Sequence, residues 1–309
     1  MIDKPTVLVL GAGASKPYGF PCGGELLEQI YERLQSASGM RRIIQSCDIS
    51  DDDIQIFSSE LYRAQPPSID TFLEHRPEFM QIGKLIIAAT ITECEQEEQM
   101  FGFEARRQGF YHYLLQCMNS SFDQFSKNRM SFVTFNYDRS LEHCLFTSLK
   151  HLHNKSEDEC AGQISTIPII HVHGSLGPLP WQSRNGGRPY RFSDDPEVLL
   201  QASQGIKIVA EGATSSDEFE QAISQMRDAE RIYFLGCGYH AANLDRLRLD
   251  AVRSALRNRQ YGLEVNAMMG SGYGLGRAEA FAITEKYRIN IPDQMKTCHD
   301  FLKEYAPLD

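Results

Sequence analysis

The sequence has no Cys-x-x-Cys pair, no basic excess, no apolar run of membrane length, and no internal repeat or low-complexity tract. Its eight cysteines (Cys22, Cys47, Cys94, Cys117, Cys144, Cys160, Cys237 and Cys298) are scattered, which removes the usual structural zinc pattern and suits a reducing compartment. The 31 Lys and Arg are outnumbered by 41 Asp and Glu, for a net charge of −10. Phosphate-binding surfaces are built from clustered Lys and Arg, so neither direct nucleic-acid binding nor attraction to anionic membranes is expected. The run Val7-Leu8-Val9-Leu10 is too short for a signal peptide, and no segment approaches the ~20 apolar residues of a membrane span. A soluble, cytoplasmic protein is the expectation. The densest acidic stretches, Asp51 to Asp53 and Glu93 to Glu98, read as solvated surface.

What is present is an alternation of strands and helices. The chain of 309 residues is long enough for one large α/β domain, with or without a small second module. Thr6 to Leu10 is a continuous apolar run ending in Gly-Ala-Gly, the pattern of a buried parallel strand entering a tight turn. Leu26, Leu27, Ile30, Tyr31 and Leu34 then recur at helical spacing. Strand signals nearly vanish over residues 35–127, where amphipathic stretches such as Ile82 to Thr92 and Phe110 to Phe125 predict a helical insertion module. The remainder, 1–34 and 128–309, reads as the α/β domain.

Strands are expected at Ser131 to Asn136, Ile167 to His173, Ile206 to Ala210, Arg231 to Leu235 and Leu263 to Ala267. Helices are expected from Arg139 to about Leu149, behind the capping-box spacing Ser215 to Glu218, around Leu244 to Leu256, and at the C-terminal end. Residues 174–195 carry too many Gly and Pro for a regular element. The whole predicts a Rossmann-like, doubly wound parallel sheet whose ligands bind at the carboxyl ends of the strands.

All the chemically suggestive residues fall at those ends. Gly11-Ala12-Gly13-Ala14-Ser15 allows a tight turn and close approach of backbone N–H groups to a pyrophosphate. An ordinary strand-to-helix turn has the same composition. Lys16 stands where a dehydrogenase has its third glycine, and the position for a ribose-binding acid falls near Arg33, which disfavours hydride transfer. Thr134-Phe135-Asn136-Tyr137-Asp138 places a carboxamide that can bind a ribose hydroxyl or a water, and a carboxylate that can recognise the nicotinamide amide. Asn and Asp are also routine turn residues. His173 can accept a proton near neutral pH, and Gly174 beside it permits close approach of a ligand.

His171 should share the strand face of His173, so a metal pair is conceivable, and His151 and His153 repeat the spacing. Without a supporting acid or cysteine pattern no metal is expected, and His171 reads as a packed or hydrogen-bonded residue. Gly236-Cys237-Gly238 looks like a second glycine turn at the ligand edge, and Asn266 can reach the far ribose. Plain strand ends would look the same.

Taken in order, these segments resemble the sirtuin superfamily, whose NAD-binding domain carries Gly-Ala-Gly-x-Ser, Thr-x-Asn-x-Asp and His-Gly-Ser segments. The resemblance covers residues 1 to about 29 and 131 to about 270. It implies His173 as general base, Asn136 as the residue orienting ribose or water, and Asp138 near the nicotinamide amide. Gly236 to Gly238 and Asn266 occupy places similar to the family's Gly-Thr-Ser and Ile-Asn segments, although the first has no Thr or Ser. The zinc module of the protein-deacylating members is absent. Together with the stretch Ser68 to Leu73, this makes the chain more similar to bacterial antiphage effectors that hydrolyse NAD.

The resemblance therefore implies an NAD glycohydrolase that uses NAD as substrate without a metal. Such an enzyme would be gated by assembly as a homo-oligomer or by a regulatory partner such as a DNA-translocase-type ATPase. An NAD-dependent protein deacylase and a non-catalytic NAD- or nucleotide-sensing module are the alternatives.

Overall fold

The computed structural model describes residues 1–35, 39–183, 186–208, 216–259 and 268–308. Among them, β1 (Thr6–Leu10), β2 (Met130–Thr134), β3 (Ile169–His171), β4 (Arg231–Leu235) and β5 (Met268–Gly270) form one all-parallel sheet in the order β3-β2-β1-β4-β5. The chain builds outward from β1 through β2 to β3, then returns to add β4 and β5 on the other side. The order reverses between β1 and β4, and such a switch point opens a crevice at the carboxyl ends. Leu10 is in register with both Thr134 and Leu235, so the loops opened by Gly11, Phe135 and Gly236 leave the sheet side by side.

Both sheet faces are covered, which is why the strands read as unbroken apolar runs. Leu8, Leu10, Phe132 and Leu235 face a cluster with Ile44, Phe57, Leu73 and Leu85 from the segment between β1 and β2. Val7, Val9, Val133 and Phe234 face a second cluster with Phe219, Leu244, Val252 and Ile283. Between β1 and β2 the described residues contain helices and loops but no strand. These helices share a single apolar cluster with one face of the sheet. No helix is long and apolar enough, among the described residues, to cross a membrane.

Several sequence expectations are corrected. The Met80–Thr92 helix is not amphipathic: Ile82, Gly83 and every residue from Leu85 to Thr92 are buried, as in a helix enclosed on all sides. Phe110 to Phe125 is two pieces, a helix over Tyr111–Cys117 and a 3-10 turn over Phe122–Lys127, divided at Asn119-Ser120-Ser121. β2 stops at Thr134 because its hydroxyl accepts the Asn136 N–H at 3.0 Å and bends the chain out of the sheet. β3 stops at His171, whose carbonyl accepts the Gly174 N–H at 3.1 Å and closes a turn. Ile206 makes only an isolated antiparallel bridge to Gly174, and residues 209–210 of that expected strand lie outside the described residues.

The helix expected at Leu244 to Leu256 is two helices, Ala241–Arg246 and Leu249–Arg259, broken where Arg248 takes a positive φ of 47°. The Asp217–Asp228 helix has Ser216 at its N-cap, one residue later than the capping-box spacing required. The strand expected at Leu263 to Ala267 lies outside the described residues, as does Asn266.

Candidate functional site

The site is assembled from loops that leave β1, β2, β3 and β4 at one end of the sheet. The first and last of these are in backbone contact. Leu235 and Gly236 carbonyls accept the N–H groups of Gly11 and Gly13, both at 2.9 Å. Gly236 has φ +60°, and a Cβ there would lie 2.0 Å from the Ala14 nitrogen. A Cβ on Gly11 would lie 2.6 Å from the Gly236 oxygen, so loop-to-loop packing holds both residues to glycine, with the left-handed backbone adding to it at Gly236. Two of the N–H groups that the sequence offered to a pyrophosphate are therefore spent on β4. Ala12, Gly13, Ala14 and Ser15 form a single helical turn, and Gly238 is exposed at the rim.

Beside this junction lies a web of polar bonds. Asn136 Nδ2 donates to the Gly11 carbonyl and to Ser15 Oγ, each at 3.0 Å. Asp138 Oδ1 accepts the Ser140 N–H at 3.0 Å and the Ser140 hydroxyl, and Ser15 is a neighbour that favours its charged form. Burial pushes the Asp138 carboxyl above its ordinary range, and Ser140 and Ser15 pull against that shift. Gly11, Ser15, Thr134, Asn136 and Asp138 are thus brought together as the sequence predicted. Asp138 also anchors the start of the Ser140–His153 helix, a role the sequence reading did not foresee.

His171 and His173 were expected on one strand face, and they are not. The turn that follows His171 separates them. His171 sits by Asn136 and Glu142, whereas the His173 ring lies 5.7 Å from the Phe135 ring and 5.8 Å from the Phe219 ring. Gly174 closes the turn with φ +70°, and a Cβ there would meet the Gly205 carbonyl at 2.0 Å. His173 Nε2 is 3.1 Å from Asn243 Oδ1, on the Ala241–Arg246 helix that follows β4. With Oδ1 as acceptor, Nε2 carries the hydrogen and Nδ1 is the basic nitrogen.

Burial lowers the His173 pKa below its ordinary value, Arg246 acts in the same direction, and the Asp70 charge and the Asn243 bond oppose them. The ring is therefore neutral at pH 7, as a base must be. No hydrogen bond joins His173 to Asn136, Ser15 or Asp138. Among the described residues no group of three or more His, Cys, Asp or Glu is placed to hold a metal.

Four further contributors were missed. Glu142 is buried on the apolar face of its helix beside Leu141 and Leu145, and an acid in such a stripe signals a partner. Asp70 is presented by the Ile69–His75 helix, capped by Ser68, and accepts the hydroxyl of Tyr137 between Asn136 and Asp138. Asn243 carried no signal in the sequence. The fourth, Glu95, reverses a prediction, because the acidic run 93–98 was read as solvated surface and Glu95 is buried.

Glu95 receives Arg139 Nε and Nη2 at 2.8–2.9 Å and Arg188 Nη2 at 2.7 Å. Arg139 Nη1 and Nη2 also donate to the carbonyls of Gly177, Pro178, Arg188 and Pro189. The long loop after β3 is thereby clamped next to Asp138. In comparison with known proteins, no family model and no curated protein matches the chain.

Proposed function

We propose that the chain is an NAD glycohydrolase with a sirtuin-like Rossmann domain and a helical insertion module. The observation that carries this reading is the convergence of Asn136, Ser15, Asp138 and the Gly11 loop at the carboxyl ends of β1 and β2, beside the switch point. In the proposed reaction NAD lies across the crevice, and the bond from ribose C1′ to the nicotinamide nitrogen loosens toward an oxocarbenium-like state. Water oxygen bonds to C1′, the electron pair of the broken bond returns to nicotinamide, and the proton lost by water passes to His173. Asn136 orients the ribose or the water. The products are nicotinamide and ADP-ribose. Depletion of NAD by such an enzyme suits a cytoplasmic antiphage effector held inactive until it assembles with copies of itself or with a regulatory protein.

Incubation of the purified chain with NAD should release nicotinamide, and His173→Ala and Asn136→Ala should each abolish release. Full activity in both variants refutes the assignment. One observation favours a second reading, a non-catalytic nucleotide-sensing module: the Asn136 amide nitrogen and the Asp138 carboxylate are already committed to protein partners. That reading expects saturable NAD binding by calorimetry with no turnover.

A further inference from the structure

Both ring nitrogens of His171 meet an oxygen. Nδ1 lies 2.9 Å from the carbonyl of Asn136, and Nε2 lies 2.6 Å from Glu142 Oε1. A carbonyl only accepts, so Nδ1 carries a hydrogen. Nε2 then faces a carboxylate at the short separation of a charge-assisted bond. Glu142 is buried and His171 nearly so, at 5% and 13% exposure, so water competes only weakly for the ion-pair contact. The other charged groups facing the pair are Asp138, from the loop after β2, and Arg139, at the start of the helix that bears Glu142.

We infer that His171 and Glu142 form a positioning pair for Asn136, in which a doubly donating imidazolium, ion-paired to Glu142, grips the Asn136 carbonyl. The Asn136 amide in turn holds the Gly11 carbonyl and the Ser15 hydroxyl, and its N–H is held by Thr134. One line of bonds thus runs from the Ser140–His153 helix, past the end of β3 and the loop of β2, to the loop of β1. The kinetic part of this inference rests on the proposed NAD cleavage; the protonation of His171 does not.

The sign of the pH dependence follows from the bonds. Burial opposes charge on His171, yet the charge and hydrogen bond of Glu142, with the Asn136 carbonyl, hold the ring above its ordinary 6.5. Burial likewise opposes charge on Glu142, and His171 holds it below its ordinary 4.5. The grip is complete between those two values. It is lost as pH rises through the raised value of His171 and as pH falls through the lowered value of Glu142. Above the upper limit, the single remaining ring hydrogen is drawn to the carboxylate, and the Asn136 carbonyl loses its donor.

Nitrogen-15 NMR of the full chain at pH 6.5 should show both His171 ring nitrogens predominantly protonated. A singly protonated ring overturns the proposal whether or not NAD is cleaved. In the kinetic test, Glu142→Gln removes the charge but lets the Gln amide donate to Nε2 of a neutral ring, so Nδ1–H still serves Asn136. Wild-type kcat should therefore fall along an alkaline limb that Glu142→Gln lacks, and the same limb in both proteins overturns the proposal.

The Nδ2 of Asn in His171→Asn can replace Nδ1–H, so this variant should keep kcat roughly tenfold above that of His171→Leu at similar KM, in line with the cost of slight misplacement. Equal kcat in the two contradicts positioning. Absence of turnover in the wild type would defeat the functional reading, and the NMR result would still decide this one.

Discussion

Replacing Glu95 with Ala should be among the most damaging single changes in the chain. The Glu95 side chain is 0% exposed, that of Arg139 1% and that of Arg188 9%, so the substitution leaves two guanidinium groups without their shared counter-charge in a site closed to water. Breaking a buried pair in this way costs about 3 to 5 kcal/mol. Burial already depresses the Arg139 pKa against the pull of Glu95, which places the cost on the arginine that loses its partner. The expected loss is therefore near the upper end of that range.

A double variant, Glu95→Leu with Arg139→Met, should recover only part of the loss. Its apolar side chains remove the Arg139 charge, but Arg188 stays without its counter-charge and the carbonyls of Gly177 and Arg188 lose their donor. Urea unfolding measures both variants, and limited trypsin digestion reports the loop, since the bond after Arg191 becomes more readily cleaved once the clamp is open. A loss below about 1 kcal/mol in Glu95→Ala, with the loop still protected, refutes the reasoning.

Gly236→Ala should cost about 2 to 5 kcal/mol, from the left-handed backbone and the contact with Ala14, measured by urea unfolding. Gly162→Ala, in a helix with open space around the added methyl, should gain up to about 1 kcal/mol in the same assay, and a Gly236 variant as stable as this control contradicts the loop-to-loop packing. Asp70→Asn keeps an acceptor for Tyr137 but removes the charge that raises the His173 pKa, so the acid limb of kcat/KM should move to lower pH. A limb that stays in place or moves upward rules out Asp70 as a neighbour that tunes His173.

The parts of the fold legible in the sequence are those decided by local composition. β1 and β4 have the expected bounds because an apolar run enclosed on both faces gives way directly to a glycine-led turn. β2 and β3 were read too long because apolar residues continue past the strand, in Phe135 and Val172, while the ends are set by a threonine hydroxyl and a turn that hydropathy does not register. Glu95 was misread for a related reason. Its acidic neighbours are at the surface, and the arginines that bury it lie 44 and 93 residues away.

The same distinction separates the two histidines, and here it bears on the proposed base. By period-two alternation His171 and His173 are equivalent, two residues apart on one strand, and either could serve as base. The bond from the Gly174 N–H to the His171 carbonyl ends the alternation between them. His171 is left with an acceptor at each nitrogen, a ring with no lone pair to offer a substrate. His173 has one nitrogen bonded to Asn243 and the other able to take a proton. A base needs that unoccupied lone pair, so within the proposed reaction hydrogen-bond capacity favours His173 over His171.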